Sequence, residues 1–138
     1  MKDFITLSFP SHPKYLSLVR AVTAKIAELH GMDNLLVEDI KLAIDEACSN
    51  IMKHAYSGDT TKRIVLKYKT AQKGFKVIIE DNGVKARADL IKGRDLDDIR
   101  PGGLGIHFIK RVFDVFQFDE RKKKGNRLLL MKTLKKEK

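Results

Sequence analysis

The sequence predicts an α+β fold, a two-layer sandwich in which helices cover one face of a mixed β-sheet. Three observations lead there. The apolar period alternates between 2 and 3.6 along the chain. The elements read β-α-α-β-β-loop-α-β-β. The 138 residues suffice for one hydrophobic core but not for two.

Residues 4–9, FITLSF, alternate, with Ile5, Leu7 and Phe9 on one side of a strand. Ser11 and Pro13 then signal a helix start. Tyr15, Val19, Val22, Ile26 and Leu29 follow as one apolar helical stripe, which His30-Gly31 ends. A second helix is expected from about Asn34 to Ala55, with Ile40, Ala43, Ile44, Ala47 and Ile51 facing the core and Ser57-Gly58-Asp59 closing it. Strands at Ile64–Tyr68 and Phe75–Glu80 form a hairpin around Gly74. Residues 82–103 are rich in Gly, Asp and Arg and lack periodicity, and a stretch that long in a small domain is a functional or mobile loop. Ile106, Ile109, Val112 and Phe113 mark a third helix. Strands near Val115–Asp119 and Arg127–Thr133 close the chain around a tip containing Gly125.

Bulk properties narrow the function classes. No run of 18 apolar residues is present, and the first residues carry neither an apolar signal segment nor a small-residue cleavage site, so the protein reads as cytoplasmic and not membrane-bound. Cys48 is the sole cysteine and reads as a small buried hydrophobe. The formal charge is +10, but residues 121–138 hold nine Lys/Arg and one Glu, a net +8, which leaves +2 for residues 1–120. This excess is either solvated charge at a hairpin tip (Arg121 to Lys124) and a tail (Lys135 to Lys138), or a patch that steers an acidic protein. No aromatic residues interleave with it to stack bases, so direct nucleic-acid binding is not expected.

Three clusters carry candidate chemistry. Glu46 and Asn50 lie one helical turn apart, with Lys53 and His54 continuing the same polar stripe beside the core stripe. Such a stripe is either a solvated face or a working one. In the second case Asn50 offers an oxygen to Mg²⁺ and Glu46 accepts a proton from a hydroxyl or water. Asp81-Asn82-Gly83 follows a strand. It is either a tight turn or a site where Asp81 accepts the amine of adenine and Gly83 admits the base. Arg100-Pro101-Gly102-Gly103-Leu104-Gly105-Ile106 opens the third helix. It is either a flexible loop or an anion cradle, with free N–H groups at a helix start and the Arg100 fork for a terminal phosphate. Neither G-x-x-x-x-G-K-[ST] nor the Rossmann G-x-G-x-x-G is present, and neither is H-R-D or D-F-G. His107 reads as structural, and Asp95, Asp97 and Asp98 read as solvated charge.

In this order the clusters DEACSNIMKHAY, EDNG and RPGGLGIHFIKRVFD resemble the GHKL (Bergerat-fold) ATPases, on their anti-sigma-factor serine-kinase branch. The closing GNRLLLMKTL, with Asn126 and Lys132, resembles the last strand of that branch. The resemblance spans roughly residues 4–134. It implies a single ATP-binding domain over 1–138, with 84–101 as an ATP lid and 135–138 as a basic tail. It implies Glu46 as general base and Asn50 as Mg²⁺ ligand. It further implies a nucleotide site of Asn50, Lys53, His54, Asp81, Gly83, Arg100, Gly103, Leu104, Gly105, Ile106 and Asn126. Arg20 falls where relatives contact a sigma factor. The implied protein is an ATP- and Mg²⁺-dependent anti-sigma factor and serine/threonine kinase. It would phosphorylate an anti-sigma-factor antagonist and form a homodimer. The alternative is a nucleotide-gated binding module without kinase activity. One departure stands out: many GHKL proteins read D-x-G-x-G, whereas Gly83 is followed here by Val84-Lys85-Ala86.

Overall fold

The computed structural model describes residues 4–71, 74–86 and 103–134. Five strands form one sheet: β1 (Ile5–Pro10), β2 (Arg63–Ala71), β3 (Gly74–Asp81), β4 (Val115–Phe118) and β5 (Asn126–Thr133), in the order β1-β2-β3-β5-β4. Three helices, α1 (Leu16–Leu29), α2 (Asn34–Asn50) and α3 (Gly103–Val112), cover one face. A 3-10 turn at Pro13–Tyr15 leads into α1, and a π-turn at Ile51–Ala55 extends α2 to the predicted end.

Every strand pair is antiparallel, which corrects the expected mixed sheet. The physical reason lies in the connections. Two helices separate β1 from β2, so the chain returns to the sheet reversed. One helix separates β3 from β4, so those two strands run the same way, but β5 hairpins back from β4 into the gap between them. β3 thereby becomes the central strand, paired with β2 from Gly74 to Glu80 and with β5 along its whole length.

The helix starts follow from capping. His12 Nδ1 accepts from Lys14 N at 3.1 Å ahead of α1, and Asp33 Oδ1 accepts from Leu36 N at 2.8 Å at the start of α2. Gly31, at φ 79°, supplies the left-handed residue that ends α1. On α2 the predicted stripe holds: Ile40, Ala43, Ile44 and Ala47 are buried and Ile51 is half-buried. On α1 it does not hold throughout. Leu29 is 69% exposed, and the buried face runs through Val19, Thr23, Ile26 and Ala27. Thr23 enters the core because its hydroxyl meets that of Tyr68 on β2 at 2.6 Å. Ile5, at the sheet edge, is 50% exposed. The inner face of the sheet contributes Ile64, Leu66, Tyr68, Phe75, Val77, Ile79, Leu128 and Leu130 to the core, and Cys48 is buried among them. The outer face is mixed, with Ile78 and Leu129 beside Lys67, Lys76, Glu80 and Arg127. Glu80 there takes Lys67 at 3.0 Å and Arg127 at 3.3 Å. Among the described residues no helix is long and apolar enough to cross a membrane.

Thr23→Val keeps the shape of the helix face but leaves the Tyr68 hydroxyl, 1% exposed, without its partner. A loss of about 1–3 kcal/mol is expected, read as a lower urea midpoint at unchanged slope.

Candidate functional site

The three predicted clusters converge where the end of α2, the turn after β3 and the start of α3 meet. Glu46 and Asn50 are half-buried on α2, and Lys53 and His54 are exposed on the π-turn. In the π-turn Tyr56 N reaches Ile51 O at 3.0 Å, a wider turn than the α-helix makes. This carries the Ala55 carbonyl to Val84 N, at 2.9 Å. Ser57, at φ 49°, and Gly58, at φ 82°, then turn the chain away towards β2.

Gly83 packs directly on that helix end. A Cβ there would overlap the carbonyl of Ala55, so the glycine serves first to let the turn close on α2. Asp81, 3% exposed, ends β3 on the inner face. Its Oδ1 accepts from Gly83 N at 2.8 Å, and Asn126 Nδ2 donates to Oδ1 at 3.1 Å and to Oδ2 at 3.2 Å. Burial raises the Asp81 pKa. Hydrogen bonds from Gly83 and Asn126 and the charge of Lys122 offset part of that.

Sequence reasoning missed Tyr56. Its hydroxyl donates to Arg63 O at 2.6 Å and accepts from Asn82 N at 2.8 Å, bridging the helix end to the turn. An aromatic residue between a helix and a Ser-Gly turn was the available signal. The basic tip also departs from the solvated reading at one position. Lys122 turns inward, its side chain only 17% exposed, to meet Asn82 Oδ1 at 3.3 Å, and Lys85 Nζ donates to the Lys122 carbonyl. Gly125, at φ 76°, lies so close to the Asp81 carbonyl that a Cβ would overlap it.

At the opposite side, the Glu46 side chain lies over Gly105 in the first turn of α3, in the space a Cβ there would fill. Its carboxylate therefore sits beside a helix start, where N–H groups attract anions. The Ile106 side chain is 8% exposed and belongs to the core, so only its backbone can face a ligand. Gly103 and Leu104 open α3 as backbone. Arg100, the acidic set Asp95, Asp97 and Asp98, lid residues 87–101 and tail 135–138 lie outside the described residues. Arg20 pairs with Asp45, the neighbour of Glu46, at 2.6 Å. Among the described residues no group of three or more His, Cys, Asp or Glu side chains is placed to hold a metal ion. A cation at Asn50 needs its other oxygens from elsewhere, which suits Mg²⁺ shared with phosphates.

Residues 9–132 match the histidine kinase-like ATPase domain. Serine-protein kinase RsbW of Listeria innocua is 34% identical over 122 residues, which are 83% of this chain and 78% of that protein. The chain belongs to the histidine kinase-like ATPase family, on its RsbW branch. RsbW of Bacillus subtilis (strain 168) is 28% identical over 121 residues, 81% of this chain and 75% of its own. A crystal structure of the RsbU and RsbW domains of Rv1364c from Mycobacterium tuberculosis shares the fold, with a TM-score of 0.67 at 17% identity over 94% of this chain and 32% of the longer one. The family match spans all three clusters as well as the strand that carries Asn126.

Gly105→Ala separates stability from chemistry at an RsbW-type site. Alanine suits a helix better than glycine by about 0.5–1 kcal/mol, and the atoms it meets are the movable end of Glu46. Melting temperature is expected to hold or rise, while phosphoryl transfer falls at least about 10-fold as Glu46 is pushed aside. Calorimetry and a transfer assay on one preparation check both.

Proposed function

We propose that this protein is an ATP- and Mg²⁺-dependent serine/threonine kinase. It phosphorylates an anti-sigma-factor antagonist in the cytoplasm and in the alternate state holds a sigma factor. The observation that carries the reading is Glu46 lying against the first turn of α3, one helical turn from Asn50. A base and an anion-attracting helix start thereby share one small space.

In this reading Asp81 accepts the adenine amine, and its carboxylate is already oriented by Gly83 and Asn126. The backbone of Gly103 to Ile106 receives phosphate oxygens, with Lys53, His54 and Arg100 adding positive or donor groups around them. Asn50 offers its carboxamide oxygen to Mg²⁺, which when bound neutralises charge on the phosphates. Glu46 takes the proton of the attacking seryl hydroxyl as its oxygen bonds to the γ-phosphorus and the β–γ bridge breaks, leaving ADP. Arg20 reaches a sigma factor by exchanging Asp45 for an acid of the partner. A homodimer across α1 and the β1 edge covers Ile5, Leu18 and Leu29, all well exposed in the single chain.

Two substitutions on α2 test the division of labour. Asn50→Ala is expected to weaken ATP binding and abolish transfer together. Glu46→Gln keeps shape and hydrogen-bonding capacity, so ATP-Mg²⁺ and the sigma factor still bind, while transfer slows about 10²- to 10⁴-fold. A wild-type protein that binds ATP yet transfers to no antagonist would be a nucleotide-gated binding module instead.

Asp81→Asn tests the base site. It replaces an acceptor-only group by one that is part donor, facing an amine. Titration calorimetry is expected to show ATP affinity down by at least about 10-fold. Equal affinity would reduce Asp81-Asn82-Gly83 to an ordinary turn.

A further inference from the structure

The NH₂ of the Asn126 carboxamide is fully engaged within the protein, and its oxygen takes one donor. It is 8% exposed and lies directly across from Asp81 in the β3–β5 register. Nδ2 donates to both Asp81 oxygens, at 3.1 and 3.2 Å, and to Val84 O at 2.9 Å, while Oδ1 accepts from Ala86 N at 2.8 Å. A carboxamide has two N–H donors, and three acceptors already share them. The orientation is fixed as well: swapping oxygen and nitrogen would set the oxygen against a carboxylate and a carbonyl, and the NH₂ against an N–H.

From this geometry we infer that Asn126 is a positioning residue and not a hydrogen-bond donor to the nucleotide: it couples the carboxylate that reads the base to the chain at Val84–Ala86. The inference rests on the proposed role of Asp81 in holding adenine.

The coupling follows from shared lone pairs. Asp81 Oδ1 already accepts from Gly83 N and Asn126, so Oδ2, with one protein donor, is the oxygen able to take a further N–H. An amine arriving there competes with Asn126 Nδ2, and the same nitrogen holds Val84 O. Base occupancy therefore changes the grip on Val84 and, through Oδ1, on Ala86. The reciprocal effect is required: the conformation of Val84–Ala86 alters affinity for the base by the same factor. The neighbouring bond from Val84 N to Ala55 O, 2.9 Å, does not involve Asn126 and serves as an internal reference.

Asn126→Thr tests the coupling. Threonine suits a strand and returns one hydroxyl to Asp81, but it is too short to hold Val84 O and Ala86 N as well. In the nucleotide-free protein, amide exchange followed by NMR is expected to speed at least about 10-fold at Ala86 and to stay within about 3-fold at Val84. Wild-type protein is expected to change its Ala86 exchange on adding ATP-Mg²⁺, and the variant not to, with ATP affinity held within about 3-fold. Asn126→Ala, which removes the donor to Asp81 too, is expected to lose ATP affinity at least about 10-fold. The inference is overturned if Ala86 exchange is unchanged in Asn126→Thr, if Val84 and Ala86 speed up together, or if the threonine variant loses ATP affinity as fully as the alanine one. Wild-type protein that binds no ATP overturns the adenine reading itself, and this inference with it. Wild-type protein that binds ATP, with nucleotide-free Ala86 exchange in Asn126→Thr equal to that of wild type, overturns the inference alone.

Discussion

Taking a carboxylate out of water requires donors to replace the water, and the burial of Asp81 organises much of this molecule. Two donor residues meet the carboxylate directly: Gly83 from the turn and Asn126 from the next strand. Each is held in place by something further off. Gly83 reaches Asp81 because the turn closes on Ala55, and it closes there because no Cβ intervenes. Asn126 faces Asp81 because β5 runs between β3 and β4, which makes the two residues direct partners. A sheet with β4 beside β3 would leave Asp81 without that donor. The antiparallel order is in this sense part of the site.

The second organising element is α2, which serves two environments at once. Its core face, Ile40 to Ala47, is packed against the sheet, while Glu46 and Asn50 lie at the margin of that face and meet α3. The π-turn continues the helix but widens its last turn. It delivers Ala55 and Tyr56 to the turn after β3, where an α-helical turn would direct the same residues differently. The proposed base site and the residues proposed for phosphate chemistry are thus joined by one continuous helix, with Tyr56 as a hydrogen-bonded bridge.

Patterns that depend on near neighbours were legible in the sequence. The α2 stripe and the turn glycines Gly31, Gly58 and Gly125 rest on local periodicity or backbone sterics and appear where expected. Gly74, expected in the hairpin turn, is instead the first residue of β3, and Ile5 is exposed at the sheet edge. The family resemblance gathered Glu46, Asp81 and Gly105 before any geometry did. Features set by distant partners were not legible. Thr23 joins the buried face of α1 against Tyr68, a residue 45 positions away, while Leu29 at the helix end is exposed. The insertion of β5 between β3 and β4 is a matter of long-range strand pairing, which periodicity does not encode. Lys122 looked solvated within a basic run, and only the fold brings it against Asn82. Asn126 was grouped with the nucleotide contacts, and its position in a motif does not reveal that both its N–H donors are spent within the protein.

The departure from D-x-G-x-G becomes intelligible in these terms. A glycine is required where a Cβ would collide or where φ is positive, and Gly83 and Gly125 meet those conditions on either side of Asp81. The position of the missing glycine does not. Lys85 is exposed, and its amine reaches the carbonyl of Lys122 on the tip. Val84, 67% exposed, and Ala86 beyond it engage through backbone atoms alone, to Ala55 and Asn126. A side chain at position 85 thus meets no obstacle and adds a tie to the β4–β5 tip. What a second glycine supplies as backbone freedom, this chain replaces with anchoring. The turn after β3 is held from the helix end by Ala55 and Tyr56 and from the tip by Lys122 and Asn126. If Asp81 reads the base as proposed, the base finds its acceptor already oriented, so less ordering remains to oppose binding.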